Sequence, residues 1–214
     1  MPTYATARLA ARARALAADA PPGVRPVLGL AGPPGAGKST LAEALVEELG
    51  PAEAALVPMD GFHLAESELR RLGRLARKGA PDTFDAHGYL ALLSRLRTPA
   101  HGETVYAPTF ARALEEPVAG SIPVRPEVPL VVTEGNYLLL DRPPWDAVRP
   151  LLAECWWIDL PDPERLRRLV ARHRRFGRSA VEAEEFVHAS DEANARLVAA
   201  ESGAADLVVA APPR

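Results

Sequence analysis

Several things are scarce in this chain of 214 residues, and each scarcity excludes something. There is one cysteine, Cys155, so no internal disulfide can form and a reducing compartment suffices. Cys155 lies in an apolar run and reads as a core thiol rather than a nucleophile. No apolar run approaches the length of a membrane span. The formal net charge is −3, so no global positive field draws in nucleic acid or an anionic membrane. The stretch 5–20, ATARLAARARALAADA, lacks the apolar centre of a signal peptide and reads as an amphipathic helix ending before Pro21. A cytoplasmic protein is expected, monomeric or homodimeric, binding neither nucleic acid nor membrane. Lysine is also scarce. Of 25 basic residues only Lys38 and Lys78 are lysines.

What is present is an ordinary globular composition, 48% hydrophobic and 25% charged, of a size that fits one domain. Its organising stretch is Val27 to Thr40, VLGLAGPPGAGKST. Val27 to Ala31 reads as a buried strand, and from Ser39 the spacing of Leu41, Leu45, Val46 and Leu49 is helical. Between them Gly32, Gly37, Lys38 and Ser39 match G-x-x-x-x-G-K-S/T, the phosphate-binding loop. Its members Gly32, Pro33, Pro34, Gly35, Ala36, Gly37, Lys38, Ser39 and Thr40 are the expected nucleotide contacts. Glycines let backbone N–H groups wrap a phosphate chain, and a helix N-terminus favours the anion. Lys38 supplies a compact charge for the β- and γ-phosphates. The Ser39 hydroxyl is placed to ligate Mg²⁺. In a chain built on arginine, a lysine at this one position points to a requirement for it.

Acids recur at strand ends. Ala55 to Met59 reads as a second buried strand ending at Asp60-Gly61-Phe62-His63. Leu130 to Thr133 reads as another, ending at Glu134-Gly135-Asn136-Tyr137. In a parallel sheet both ends share the rim of the phosphate loop. There Asp60 could orient an attacking hydroxyl and Glu134 could hold the metal. Glu66 to Lys78 reads as a basic helix, and Asp85 as the N-cap of a helix over Ala86 to Leu96. Thr98 to Pro126 is rich in proline and glycine and has no readable period, so it is assigned to an acceptor pocket. Trp156 to Leu160 is a fourth strand. Arg165 to Arg178 holds seven arginines and no acid. These read as a lid over the triphosphate, with Arg172, Arg174, Arg175 and Arg178 as candidates and Arg172 and Arg175 one turn apart. Glu182 to Ala200 reads as one further helix and Leu207 to Ala210 as a last strand. Apolar strands alternating with helices give an α/β fold, a parallel sheet with helices on both faces.

The segments GPPGAGKST, MDGFHL, RKGAPDTFD, VYAPTF, TEGNYLL and the arginines after CWWIDLPDP together resemble the P-loop kinase family that includes uridine kinase, phosphoribulokinase and bacterial pantothenate kinase. The resemblance runs from about Pro26 to the C-terminus. It is strongest to short nucleoside/nucleotide kinase-like members linked to fructose transport. It implies a P-loop NTPase fold with a five-stranded parallel sheet and a small lid, one domain over 1–214 with the lid near 165–180 and an acceptor insertion near 61–126. It implies ATP with Mg²⁺ as donor, a small-molecule hydroxyl (sugar, nucleoside or pantothenate-like alcohol) as acceptor, Asp60 as base, and Glu134 near the metal. Lys38, Arg172 and Arg175 would act on the moving phosphoryl group. His63, Lys78, Tyr106, Arg112 and Asn136 would join Asp60 around the acceptor. Two features depart from the family pattern. Ala111 stands where an acid often follows the aromatic, with no nearby histidine, and the chain is shorter than bacterial pantothenate kinases.

Two other classes fit a phosphate loop or an arginine run. A guanine-nucleotide switch would need an N/T-K-x-D element, and the residues around Lys78 do not form one. A nucleic-acid binder would interleave aromatics regularly with the arginines, and Phe176 alone falls among them here.

Overall fold

The computed structural model describes residues 6–211. Ala5, at the start of the expected first helix, and the outermost residues of the expected 1–214 domain lie outside them. In chain order the first elements are α1 (Thr6–Ala18), β1 (Val27–Ala31), α2 (Lys38–Leu49), β2 (Ala54–Pro58), α3 (Glu66–Arg71) and α4 (Ala86–Arg97). Then come β3 (Val105–Ala111), β4 (Glu116–Val124), β5 (Leu130–Gly135), β6 (Glu154–Asp159), α5 (Asp162–Arg175), α6 (Ala180–Phe186), α7 (Glu192–Ala199) and β7 (Leu207–Ala210).

β1 is buried along its whole length because it is sandwiched in every direction. It pairs in parallel with β5 on one edge and β6 on the other. β2 and β7 complete a five-stranded parallel sheet in the order β2-β5-β1-β6-β7. Side chains alternate across it. Val27 and Ala31 face a layer with Val57, Tyr89, Leu93, Leu96 and Trp145. Leu28 and Leu30 face the opposite layer with Ala10, Ala13, Leu41, Leu45, Trp156 and Ile158. Each fully buried leucine is worth about 1.5–3 kcal/mol, so two such layers hold the sheet firmly. Parallel pairing brings the carboxyl ends of β1, β2 and β5 to one rim.

Asp85 caps α4 as expected, its Oδ1 accepting from the Gly88 N–H at 2.8 Å. Cys155 is buried, and burial pushes its thiol up to about 12, which removes it as a nucleophile at neutral pH.

Four expectations about elements need correction. The second strand covers Ala54–Pro58, and Met59–Phe62 is a tight helical turn. The helix expected over Glu66 to Lys78 stops at Arg71, because Gly73 sits at φ +67°, followed by a short turn at Leu75–Arg77. The helix expected over Glu182 to Ala200 is three segments. α6 and α7 are joined by a wider π turn, Val187–Asp191. The unreadable stretch Thr98 to Pro126 holds an antiparallel ribbon of β3 and β4. Its alternation is hidden by Pro108, Pro117, Pro123 and Gly120 and by a register shift between Ala107 and Thr109. The ribbon is rooted in the core by Val105, Ala107 and Val124.

Candidate active site

The loop from Gly32 to Gly37 turns the chain from β1 into α2. Gly35 and Gly37 lie in the left-handed region, at φ +81° and +100°. Gly35 has a second reason to be glycine. A Cβ there would lie 2.7 Å from the Leu169 side chain and 3.0 Å from the Arg165 carbonyl. The outer face of the loop is therefore packed against α5.

Lys38 opens α2 and is buried. Its ammonium donates to the Pro33 carbonyl at 3.1 Å and to Asn136 Oδ1 at 2.6 Å. Desolvation lowers it to about 8, against the opposing pull of Glu134 and Asp60. Ser39 Oγ donates to Glu134 Oε1 at 2.9 Å. Burial first, and the nearby charge of Asp60 second, raise Glu134 to about 7. The rim thus joins α2 to the end of β5 in one cluster of Lys38, Ser39, Glu134 and Asn136.

Asp60 stands in the turn after β2. It faces Arg112 of the ribbon, Nη2 to Oδ2 at 3.3 Å. Its backbone carbonyl meets His63 Nδ1 at 2.8 Å. His63 packs between the rings of Phe84 and Phe110, with centroids 4.0 and 4.8 Å away, and burial lowers its pKa. Arg112 and Lys78 both lie over the Phe110 ring, at 5.4 and 5.2 Å. A Cβ at Gly61 would collide with the Pro108 carbonyl, so the ribbon sits directly on the Asp60 turn.

The structure brings most of the expected residues together, but not equally. The Lys78 ammonium is committed to Glu66 at 3.2 Å and to the Glu115 carbonyl at 2.6 Å. Tyr106 is 57% exposed and has no hydrogen-bond or ring partner in the group, so it stands apart. Arg172 is half-buried and near enough to Lys38 for its charge to add a little to the lowering of the lysine. Arg175, last in α5, is exposed, as is Arg174. Arg178 lies beyond the helix and stacks on Phe186 at 3.7 Å. At the start of the expected lid, Arg165 and Leu169 are buried rather than open to solvent.

Three residues were not singled out from sequence. Arg165 sends Nη1 to the Pro34 carbonyl at 3.4 Å and pairs with Glu192. Its signal was present, since it occupies the apolar stripe four residues before Leu169. Asp191, buried, holds His173 Nε2 at 2.8 Å. Asn194 reaches the Gly79 carbonyl at 3.4 Å, which also accepts from the Tyr137 hydroxyl. Nothing local marks either of the last two.

A family model described as the ATPase family associated with various cellular activities (AAA) matches residues 28–84, from β1 through the phosphate loop to Phe84. A Schizosaccharomyces pombe protein provisionally named a uridine kinase is 37% identical over 175 residues, 78% of this chain and 74% of its own length. A crystal structure from Silicibacter sp. TM1040, provisionally described as a fructose transport system kinase, matches at 38% identity and TM-score 0.81, over 94% of this chain and 98% of that one. The chain belongs to the P-loop kinase family. A pantothenate kinase of Paenarthrobacter aurescens is 37% identical over 131 residues, but these are 58% of this chain and only 40% of that enzyme. The P-loop kinase described here therefore has relatives whose names differ in acceptor.

Proposed function

We propose that this P-loop kinase transfers the γ-phosphoryl group of ATP to a hydroxyl of a small molecule, a sugar, nucleoside or related alcohol. The observation that carries the reading is the placement of Asp60. It is a partly exposed carboxylate in the turn after β2, close enough to Lys38 and Glu134 to shift both, and paired with Arg112 of the ribbon at 3.3 Å. A plain nucleotide binder has no need of it.

The residues present fit the donor. The left-handed glycines leave room for phosphate oxygens, and a buried ammonium and a helix N-terminus meet their charge. Ser39 and Glu134 are the oxygen donors that would hold Mg²⁺, which when bound would neutralise phosphate charge. Asp60 accepts the proton of the acceptor hydroxyl as its oxygen bonds to the γ-phosphorus. The bond from that phosphorus to the β–γ bridging oxygen breaks, and ADP leaves. Lys38 and Arg172 stay opposite the oxygens on which charge accumulates. His63, Phe110 and Arg112 line the acceptor side.

The test is Asp60→Asn with a panel of sugars, nucleosides and hydroxy acids. Asn keeps the size but cannot take the proton. ATP affinity is expected to stay within a few-fold while kcat falls by about 10²–10⁴. Loss of ATP affinity in step with the rate would make Asp60 a metal ligand instead.

A further inference from the structure

We propose that Arg165 is a positioning residue for phosphoryl transfer. It fastens α5 to the outside of the phosphate loop so that Arg172 faces the nucleotide. The proposal rests on the kinase reading above and adds a role which that reading does not contain.

The Arg165 side chain is about as buried as any in the protein, at 2% exposure. Its guanidinium uses all three nitrogens. Nε donates to Asp162 Oδ1 at 2.9 Å, Nη1 to the Pro34 carbonyl at 3.4 Å, and Nη2 to Glu192. A buried guanidinium is costly unless paired and hydrogen-bonded, and an apolar side chain in this stripe would pack at lower cost. What an apolar residue could not do is hold a loop carbonyl and a second helix from one rigid fork. Glu192 is the better-shielded counter-charge, its side chain 20% exposed against 75% for Asp162.

The grip is applied at the junction of the π turn Val187–Asp191 with α7, where Asp191 reaches His173 and Glu192 reaches Arg165. Those two partners are eight positions apart on α5, about 12 Å along its axis. Two links that far apart fix both the tilt and the rotation of α5. Gly35 lets the helix backbone close on the loop. The Arg172 side chain, next to His173 on α5, has no hydrogen bond or ion pair of its own among the described residues, is half-buried, and lies near enough to Lys38 for its charge to bear on the lysine. It is the free arginine on a clamped helix.

The experiment is a double-mutant cycle between Arg165→Lys, which keeps the charge and loses the fork, and Arg172→Ala. The first readout is affinity for ADP–aluminium fluoride with Mg²⁺, compared with ADP alone. The second is turnover of ATP. Arg165→Lys is expected to weaken ADP–aluminium fluoride binding and kcat by about 10-fold or more, as a misplaced catalytic group does. Affinity for ADP should stay within about 3-fold, because only interactions special to the transition state are lost. In the Arg172→Ala background the Arg165 change should cost nothing further. Independent losses that multiply would overturn the proposal and leave Arg165 as packing. If Arg165→Lys does not fold, Glu192→Gln runs the same cycle, since it keeps a hydrogen bond and removes the charge. A third readout needs no nucleotide: Glu192→Gln should speed amide exchange at Gly35 to Gly37, and unchanged exchange counts against the clamp. Binding of ADP–aluminium fluoride without turnover of any hydroxyl acceptor would sink the kinase reading while the cycle still decides the role of Arg165. Failure to bind either ligand would sink both.

Discussion

Glu134 shows at the residue scale how the fold opposes an ionisation that the site needs. It is buried beside Asp60, and its pKa is raised from 4.5 to about 7. Below about 4.5 the folded and unfolded chains both hold the proton. Between 4.5 and 7 the unfolded chain releases it first, so stability is lost across that window and the loss is complete above it. Glu134→Gln removes the titration and keeps the oxygen that accepts from Ser39. Its melting temperature relative to the native protein should therefore rise from pH 5 to pH 8. A constant difference, measured by thermal unfolding at several pH values, would contradict the buried carboxylate. The position of Glu134 at a strand end was legible in the sequence. Its proton was not, because desolvation comes from residues far away in the chain.

At the scale of elements, the ribbon and α5 each carry a prediction. The ribbon seats on the Asp60 turn only because Gly61 has no Cβ. Gly61→Ala must push Pro108 away and carry Arg112 with it. The KM for the acceptor should rise by about tenfold or more, while the KM for ATP stays within a few-fold, because remote misplacement of this size costs up to about 10². Steady-state kinetics with both substrates checks this. On α5, sequence spacing makes Arg172 and Arg175 equivalent, whereas the structure separates them. Arg172 is half-buried and Arg175 is exposed at the end. Arg172→Ala should lower kcat by about 10²–10³, and Arg175→Ala should change it little. Equal effects would mean that the helix turns or extends on binding nucleotide. The strands and α4 were legible because each is encoded by contiguous spacing and a cap. The ribbon was not, because prolines and a register shift break its period.

At the scale of the whole molecule, the site is a seam. The phosphate loop belongs to β1 and α2, its lysine is held from β5, and its outer face is held from α5. A nucleotide that binds this seam ties those parts together. At a hundred times its Kd it should add about 2.7 kcal/mol, a rise of about 5–10 °C in melting temperature for a chain of this size. Lys38→Ala should abolish most of that rise while keeping the nucleotide-free fold, and a retained shift would show that Lys38 does not carry phosphate binding. The sequence by itself determined the loop, the strand-end acids and the capped helix, since each depends on neighbours within a turn or a strand, and the alternation of strands with helices implied the parallel sheet. Only the tertiary structure decided which charges are spoken for. Lys38 meets Asn136 across 98 residues and Arg165 meets Pro34 across 131. Lys78 is taken up by Glu66 and by the Glu115 carbonyl, and Tyr106 is left outside. The physical reason is range. Backbone geometry is set by local sterics and spacing, but a charge takes the partner that packing brings within reach, and packing joins residues that the sequence keeps apart.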